Sequence, residues 1–143
     1  MKRTINYIVV HCTATPVNTT IENIMRYWKE QKDWKKPGYH YIIKRNGEII
    51  NLLPEDQVSN GVKNFNQHSV HISYIGGVDD DNNPVDNRSK EQKTALLKKL
   101  TELKQRYPAA KIQGHRDFPN VTKACPSFDI RSWLKEAGPE LLN

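Results

Sequence analysis

The stretch Gly114-His115-Arg116-Asp117-Phe118-Pro119-Asn120-Val121-Thr122-Lys123-Ala124-Cys125-Pro126-Ser127-Phe128-Asp129 decides how the rest of the chain is read. It puts a histidine, His115, and a cysteine, Cys125, in one loop, with Lys123 two residues before the thiol. Imidazole nitrogen and thiolate sulfur both bind zinc in tetrahedral geometry. A structural site brings four protein ligands, whereas a catalytic site brings three and leaves one position for water. The loop supplies two, so a third must come from elsewhere, and the presence or absence of a fourth separates the two kinds of site.

Outward from the loop, Lys111 to Gln113 reads as a short strand that delivers His115 at its end. Ile5 to His11 is short and rich in β-branched residues, which predicts a buried strand ending on His11. Two such strand ends side by side in one sheet, with Cys125 returning on the loop, make His11 the candidate third ligand. Cys12 follows His11 and so points to the opposite face; it is read as a small buried hydrophobe. A His, His, Cys set with an open position can polarise a carbonyl and acidify water, which suits hydrolysis of an amide or ester. Spacing alone leaves this open, because the ligands are far apart and no HExxH pairs two of them on one helix.

The remaining elements follow from periodicity and punctuation. Thr19-Thr20-Ile21-Glu22 fits a capping box, and Ile21, Ile24, Met25 and Trp28 form the core-facing stripe of a helix. Lys36-Pro37-Gly38 is a turn, and Tyr39 to Lys44 and Glu48 to Leu53 are strands joined at Asn46-Gly47, the type I′ hairpin signal. Alternation sends Tyr39 and His40 to opposite faces. Leu53 to Asn66 reads as loop, and His68 to Ile75 contains a strand ended by Gly76-Gly77. On that strand His68 and His71 face opposite ways, which argues against a joint metal site. Asp79-Asp80-Asp81-Asn82-Asn83 lacks the spaced ligands and closing Glu of an EF-hand and is read as a solvated turn. Ser89 with Gln92 is a second capping box; Ala95, Leu96, Leu100, Leu103 and Tyr107 form an apolar face, Lys93, Lys98 and Lys104 the solvated one, and Pro108 stops the helix. Asp129 can cap a last helix through Trp133 and Ala137, closed by Gly138-Pro139.

The bulk numbers bound the rest. At 143 residues, 1–143 is read as a single domain with a real core. The formal charge of +6 favours an anionic partner, although the more common origin of such a charge is plain solubility. Two cysteines do not make a disulfide framework. No apolar run reaches the ~20 residues of a membrane span. The N-terminal stretch from Met1 has no h-region, so the protein is expected to be made in the cytoplasm without a signal peptide. No helix-turn-helix, RRM or finger pattern is present, so no nucleic-acid partner is expected.

Three motifs stand in the order of one family: Val10-His11-Cys12-Thr13-Ala14-Thr15, then Gly38-Tyr39-His40-Tyr41-Ile42-Ile43-Lys44-Arg45-Asn46-Gly47, then Gly114-His115-Arg116-Asp117 through Lys123-Ala124-Cys125-Pro126-Ser127-Phe128-Asp129. Over nearly the whole chain they resemble the type 2 N-acetylmuramoyl-L-alanine amidases, which include T7-type phage lysozymes and peptidoglycan recognition proteins. Gly76-Gly77 before an acidic loop resembles the phage branch. The resemblance implies an α/β fold with a central mixed β-sheet flanked by helices and one zinc in a surface groove. It implies His11, His115 and Cys125 as Zn2+ ligands, and Tyr39 and Lys123 as catalytic residues. The implied reaction cleaves the amide between the lactyl group of muramic acid and L-alanine in peptidoglycan, by a monomer that reaches the wall after release or assisted export. The physical roles are separable: Lys123 and the Tyr39 hydroxyl donate to a developing oxyanion or shuttle a proton. Asp117 and Glu48 are conceivable bases, although Asp117 suits orienting its own loop, and His40 suits support or core better than ligation.

Two departures from the family's patterns stand out. The loop after the hairpin reads Ser59-Asn60-Gly61-Val62 where relatives carry Ser-His-Ala, and the next strand reads Ser69-Val70-His71 where they carry Ser-Ile-Gly. The first bears on substrate contacts along the groove, and the second puts a ring where glycine is usual. The alternative reading is a non-catalytic peptidoglycan-binding module. Such relatives typically lose the cysteine ligand, which is present here as Cys125.

Overall fold

In chain order the elements are β1 (Tyr7–Cys12), α1 (Ile21–Gln31), β2 (Tyr41–Ile43), β3 (Ile49–Asn51), β4 (Ser69–Tyr74), α2 (Lys90–Arg106), β5 (Lys111–Gly114) and α3 (Ile130–Ala137). Short 3-10 turns cover Asn66–His68, His115–Asp117 and Pro139–Leu142. This is a computed structural model, and it describes residues 3–143; Met1 and Lys2, the start of the stretch in which no signal peptide is expected, lie outside the described residues.

The strands form one mixed sheet in the order β3-β2-β4-β1-β5. β1 runs parallel to both β4 and β5, β2 is parallel to β4, and only β2 and β3 pair antiparallel. Alternation along β1 sorts its side chains. Ile8, Val10 and Cys12 join the main core with Val70, Ile72 and Tyr74 of β4, beneath Leu96, Leu100 and Leu103 of α2 and Ile130 and Leu134 of α3. Burying each of those leucines contributes about 2 kcal/mol. The other face carries Val9 and His11. It is covered by α1, through Ile24 and Trp28, and by the loop that brings Val62 and Phe65. Two faces, each covered, explain why β1 reads as a nearly continuous apolar run and why all six residues of β4, polar ones included, are buried.

Local signals decide the ends. Ser89 and Gln92 form the expected capping box on α2. Gln92 is fully buried, and its amide also donates to Ile43 O and Ile75 O, tying the helix start to the ends of β2 and β4. Asp129 caps α3 by accepting from the Arg131 and Ser132 amides. Arg88, paired with Asp86, lies over the Phe128 ring at 3.5 Å and holds the loop before α2 against α3.

Three local readings need correction. The cap of α1 is Thr20, accepting from Asn23 N; Thr19 with Glu22 makes no box. Met25 is 44% exposed, so the buried stripe of α1 is Ile24 and Trp28. The hairpin turn is not type I′. That type needs positive φ at both central residues, but Gly47 has φ +90° while Asn46 is absent from the left-handed region. Gly47 N donates to Lys44 O and Lys44 N to Glu48 O, so three residues, 45–47, make the loop, with glycine in the left-handed position.

The long connection 52–68 is fastened from the N-terminal side. The Arg3 guanidinium donates to the backbone oxygens of Glu55, Gln57, Asn66, Gln67 and Ser69. Glu55 accepts in turn from Arg106, Tyr41 and Tyr107, so the same segment is anchored to α2.

Candidate metal centre and cleft

The carboxyl ends of β1 and β5 meet at one end of the sheet. Their register, Val10 opposite Gly114, sets His11 and His115 side by side as each strand runs out. Cys125 returns beside them, with Arg116 N donating to Cys125 O to close the loop. One ligand atom each from His11, His115 and Cys125 can be chosen so that all lie within 4.8 Å of one another. Across a tetrahedral zinc with Zn–N about 2.05 Å and Zn–S about 2.3 Å, nitrogen and sulfur stand about 3.6 Å apart. His11 Nδ1 and Cys125 Sγ are 3.7 Å apart. The donor set therefore fits the ion in both chemistry and spacing, and among the described residues no fourth His, Cys, Asp or Glu joins it.

Electrostatics favour neutral imidazoles, the ligating form. His11 is held well below its ordinary pKa by burial, reinforced by His71, His115 and Lys123. His115 is pushed down to about 4 by burial and by Lys123. The Cys125 thiol is held well above its usual range by its hydrogen bond with Cys12 and by burial. A divalent cation in contact reverses that, because a coordinating thiol gives up its proton. Cys12 N already donates to Cys125 Sγ at 3.2 Å.

The three candidate donors line a cleft of about 460 Å³ that also holds Tyr39, Lys123, Trp28 and Trp34. It continues into a second hollow past Lys63 and Phe65, with Lys32, Asn60 and Lys123 shared between the two. Tyr39 donates to Cys12 O at 3.2 Å, its ring 5.0 Å from that of His11. Burial raises its pKa far above the ordinary value, so it stays a hydroxyl. Lys123 is exposed at the lip. The expected split between Tyr39 and His40 holds. His40 is fully buried, its Nδ1 accepts from His71 N, and its Nε2 lies 2.7 Å from Gln57 O, so it supports the sheet and reaches no metal. Asp117 accepts from Gly114 N and orients its own loop. Glu48 pairs with Lys44 on the surface, away from the cleft. His68 and His71 do face apart: His68 meets Thr4 O, while His71 is fully buried.

Sequence reasoning missed what His71 does. Its Nδ1 lies 2.8 Å from His11 Nε2, and its Nε2 lies 2.9 Å from Asn66 Oδ1. The ring fills the space over Gly61, where an added Cβ would stand 2.3 Å from His71 Nδ1. The two departures noted in the sequence are thus one packing unit: the bulky ring on β4 requires the missing side chain at 61. The signal available was the glycine itself, beside a histidine in a strand.

Comparison with known proteins bears on this site. A family model described as N-acetylmuramoyl-L-alanine amidase matches residues 1–128. An endolysin of Enterobacteria phage K11 is 39% identical over 127 residues, covering 88% of this chain and 83% of the relative. Among solved structures, the Ph2119 endolysin from the Thermus scotoductus MAT2119 bacteriophage superposes with TM-score 0.76 at 29% identity, over 93% of this chain and 82% of that one. The N-acetylmuramoyl-L-alanine amidase LysC from Clostridium intestinale gives TM-score 0.77 at 25% identity, over 93% and 87%.

Proposed function

Since this chain belongs to the N-acetylmuramoyl-L-alanine amidase family, we propose that its peptidoglycan amidase activity is zinc-dependent, with His11, His115 and Cys125 as the metal ligands. The bond cut is the amide between N-acetylmuramic acid and L-alanine of the stem peptide. The observation that carries the reading is the convergence of these three donors, from two strand ends and a loop, on one point of an open cleft.

When bound there, zinc supplies Lewis acidity toward the scissile carbonyl and acidifies the hydrolytic water. The chain's own residues handle the rest. No Asp or Glu lines the cleft among the described residues, so proton handling falls to Lys123 and Tyr39. The Tyr39 hydroxyl, kept protonated by burial, exchanges its bond to Cys12 O for one to the developing oxyanion. The Lys123 ammonium stabilises the same charge and delivers a proton to the leaving amine. Trp28 and Trp34 give the cleft an apolar wall against which the substrate is desolvated, and Lys32 and Lys63 place positive charge along its length.

No helix among the described residues is long and apolar enough to cross a membrane. The relatives named above as endolysins support action on the wall after release from the cytoplasm, and the proposed working form is a monomer. The test is release of free stem peptide from purified peptidoglycan, abolished by chelator and restored by zinc. Absence of release from several wall chemotypes overturns the reading, and zinc content with wall binding but no cleavage turns it into the binding module.

A further inference from the structure

His71 is in the second layer around the cleft, and its surroundings fix where its proton sits. Val62 N donates to Asn66 Oδ1 at 2.7 Å, which identifies that atom as the amide oxygen. The same oxygen lies 2.9 Å from His71 Nε2, so His71 Nε2 carries hydrogen and donates. The ring is fully buried against His40, His11, Asn66 and the Gly61 backbone, none of them anionic, and a buried cation without a counter-ion is costly. A neutral ring protonated on Nε2 has a bare Nδ1. That Nδ1 is 2.8 Å from His11 Nε2, which must therefore carry the hydrogen between them. The remaining nitrogen of His11, Nδ1, is left with an open lone pair, and it is the nitrogen 3.7 Å from Cys125 Sγ.

Resting on the zinc reading above, we propose that Asn66 and His71 form a positioning relay that holds His11 as its Nε2–H tautomer and so turns the Nδ1 lone pair to the metal. The partner that orients a metal-bound histidine is usually a carboxylate, a backbone carbonyl or water. Here it is a neutral imidazole, itself oriented by an amide. The sheet makes this possible: His71 pairs in register with Val9 and lies diagonally beside His11 on the same face. The bare backbone at Gly61 leaves room for the ring. His71 is a positioning residue, since it acts only through His11.

The test has two independent arms. In the first, zinc affinity is measured by competition with a chromogenic chelator for the wild type, His71→Phe and His71→Asn. Phenylalanine keeps the ring's bulk without an acceptor and should weaken zinc binding by about 10–100-fold. Asparagine places an amide oxygen where Nδ1 stood and should recover most of that loss, which a purely packing role would not produce. In the second arm, ring nitrogen chemical shifts of the zinc-free wild type should show His11 protonated on Nε2 and bare on Nδ1. Equal affinity in His71→Phe and wild type overturns the relay, as does a zinc-free His11 protonated on Nδ1. A wild type that binds no zinc, yet shows the stated tautomer, sinks the metal assignment and leaves the hydrogen-bond relay standing.

Discussion

Gly61→Ala should be the most informative single change in this protein, because one methyl group meets a ring that cannot retreat. The added Cβ would stand 2.3 Å from His71 Nδ1, 2.4 Å from its Cγ and 2.5 Å from its Cε1. Ordinary contact begins near 3.5 Å, so ring and backbone must part by roughly 1 Å. His71 is fully buried and bonded at both nitrogens, so the shift opens its bonds to His11 and Asn66. Overpacking costs about 1–3 kcal/mol, and loosening the two bonds adds about 1 kcal/mol. The sum, about 2–4 kcal/mol, lowers the melting temperature of a domain this size by roughly 6–14 °C. Scanning calorimetry on metal-free protein reads this. The double variant Gly61→Ala with His71→Ala sharpens the test: the new methyl then enters space the ring has left. The two losses should fail to add by about 1–2 kcal/mol, yet zinc affinity should stay low because His11 still lacks its acceptor. A Gly61→Ala protein that melts within about 2 °C of wild type would refute the packing argument.

Three further outcomes are expected. Cys125→Ser should lose stoichiometric zinc and wall-lytic activity together, while far-UV circular dichroism keeps the wild-type form; retained zinc would remove Cys125 from the ligand set. Tyr39→Phe and Lys123→Met should each lower kcat by about 10²–10³-fold with zinc content unchanged, and a KM effect alone would assign them to binding. For Glu55, burial raises the pKa, but the hydrogen bonds from Arg106, Tyr41 and Tyr107 outweigh it, and the carboxyl ends below its usual range. A depressed folded-state pKa stabilises the fold above the unfolded value of about 4.3 and is lost as pH falls through the folded value. Glu55→Gln should therefore cost about 1–3 kcal/mol at pH 7, and the gap to wild type in chemical denaturation should close on acidification below the carboxylate range.

The clustering of His11, His115 and Cys125 was legible because each of them sits next to a strong local signal. His11 ends a β-branched run, His115 follows a short strand, and Cys125 is ten residues further on; parallel pairing of β1 with β5 then brings them together. Tyr39 was legible through simple alternation with His40. The relay was not, because its members are dispersed: Asn66 and Gly61 lie in a loop without periodicity, and His71 sits in a strand where one more buried side chain looks like packing. What identifies it is the direction of a hydrogen bond from Val62 N, which no sequence pattern carries. The misread turn at 45–47 has a similar cause. Asn-Gly suits the two-residue turn, but Ser89 Oγ donates to Arg45 O and the Gly47 Cα faces Glu91 of α2, so tertiary contact chose the longer loop. Met25 satisfies the helical period of α1 yet faces outward, and the apolar cluster under the helix is closed by Ile21, Ile24 and Trp28 instead.

The fastening at Arg3 reaches further than its location suggests. A single planar cation serves five acceptors, two of them the carbonyls of residues 66 and 67, on either side of the peptide that follows the amide on which His71 leans. No neutral side chain offers that many donors in one plane. The third residue of the chain thus acts as a distant rivet for the His11 imidazole, fastening the segment that carries Asn66 through main-chain oxygens alone.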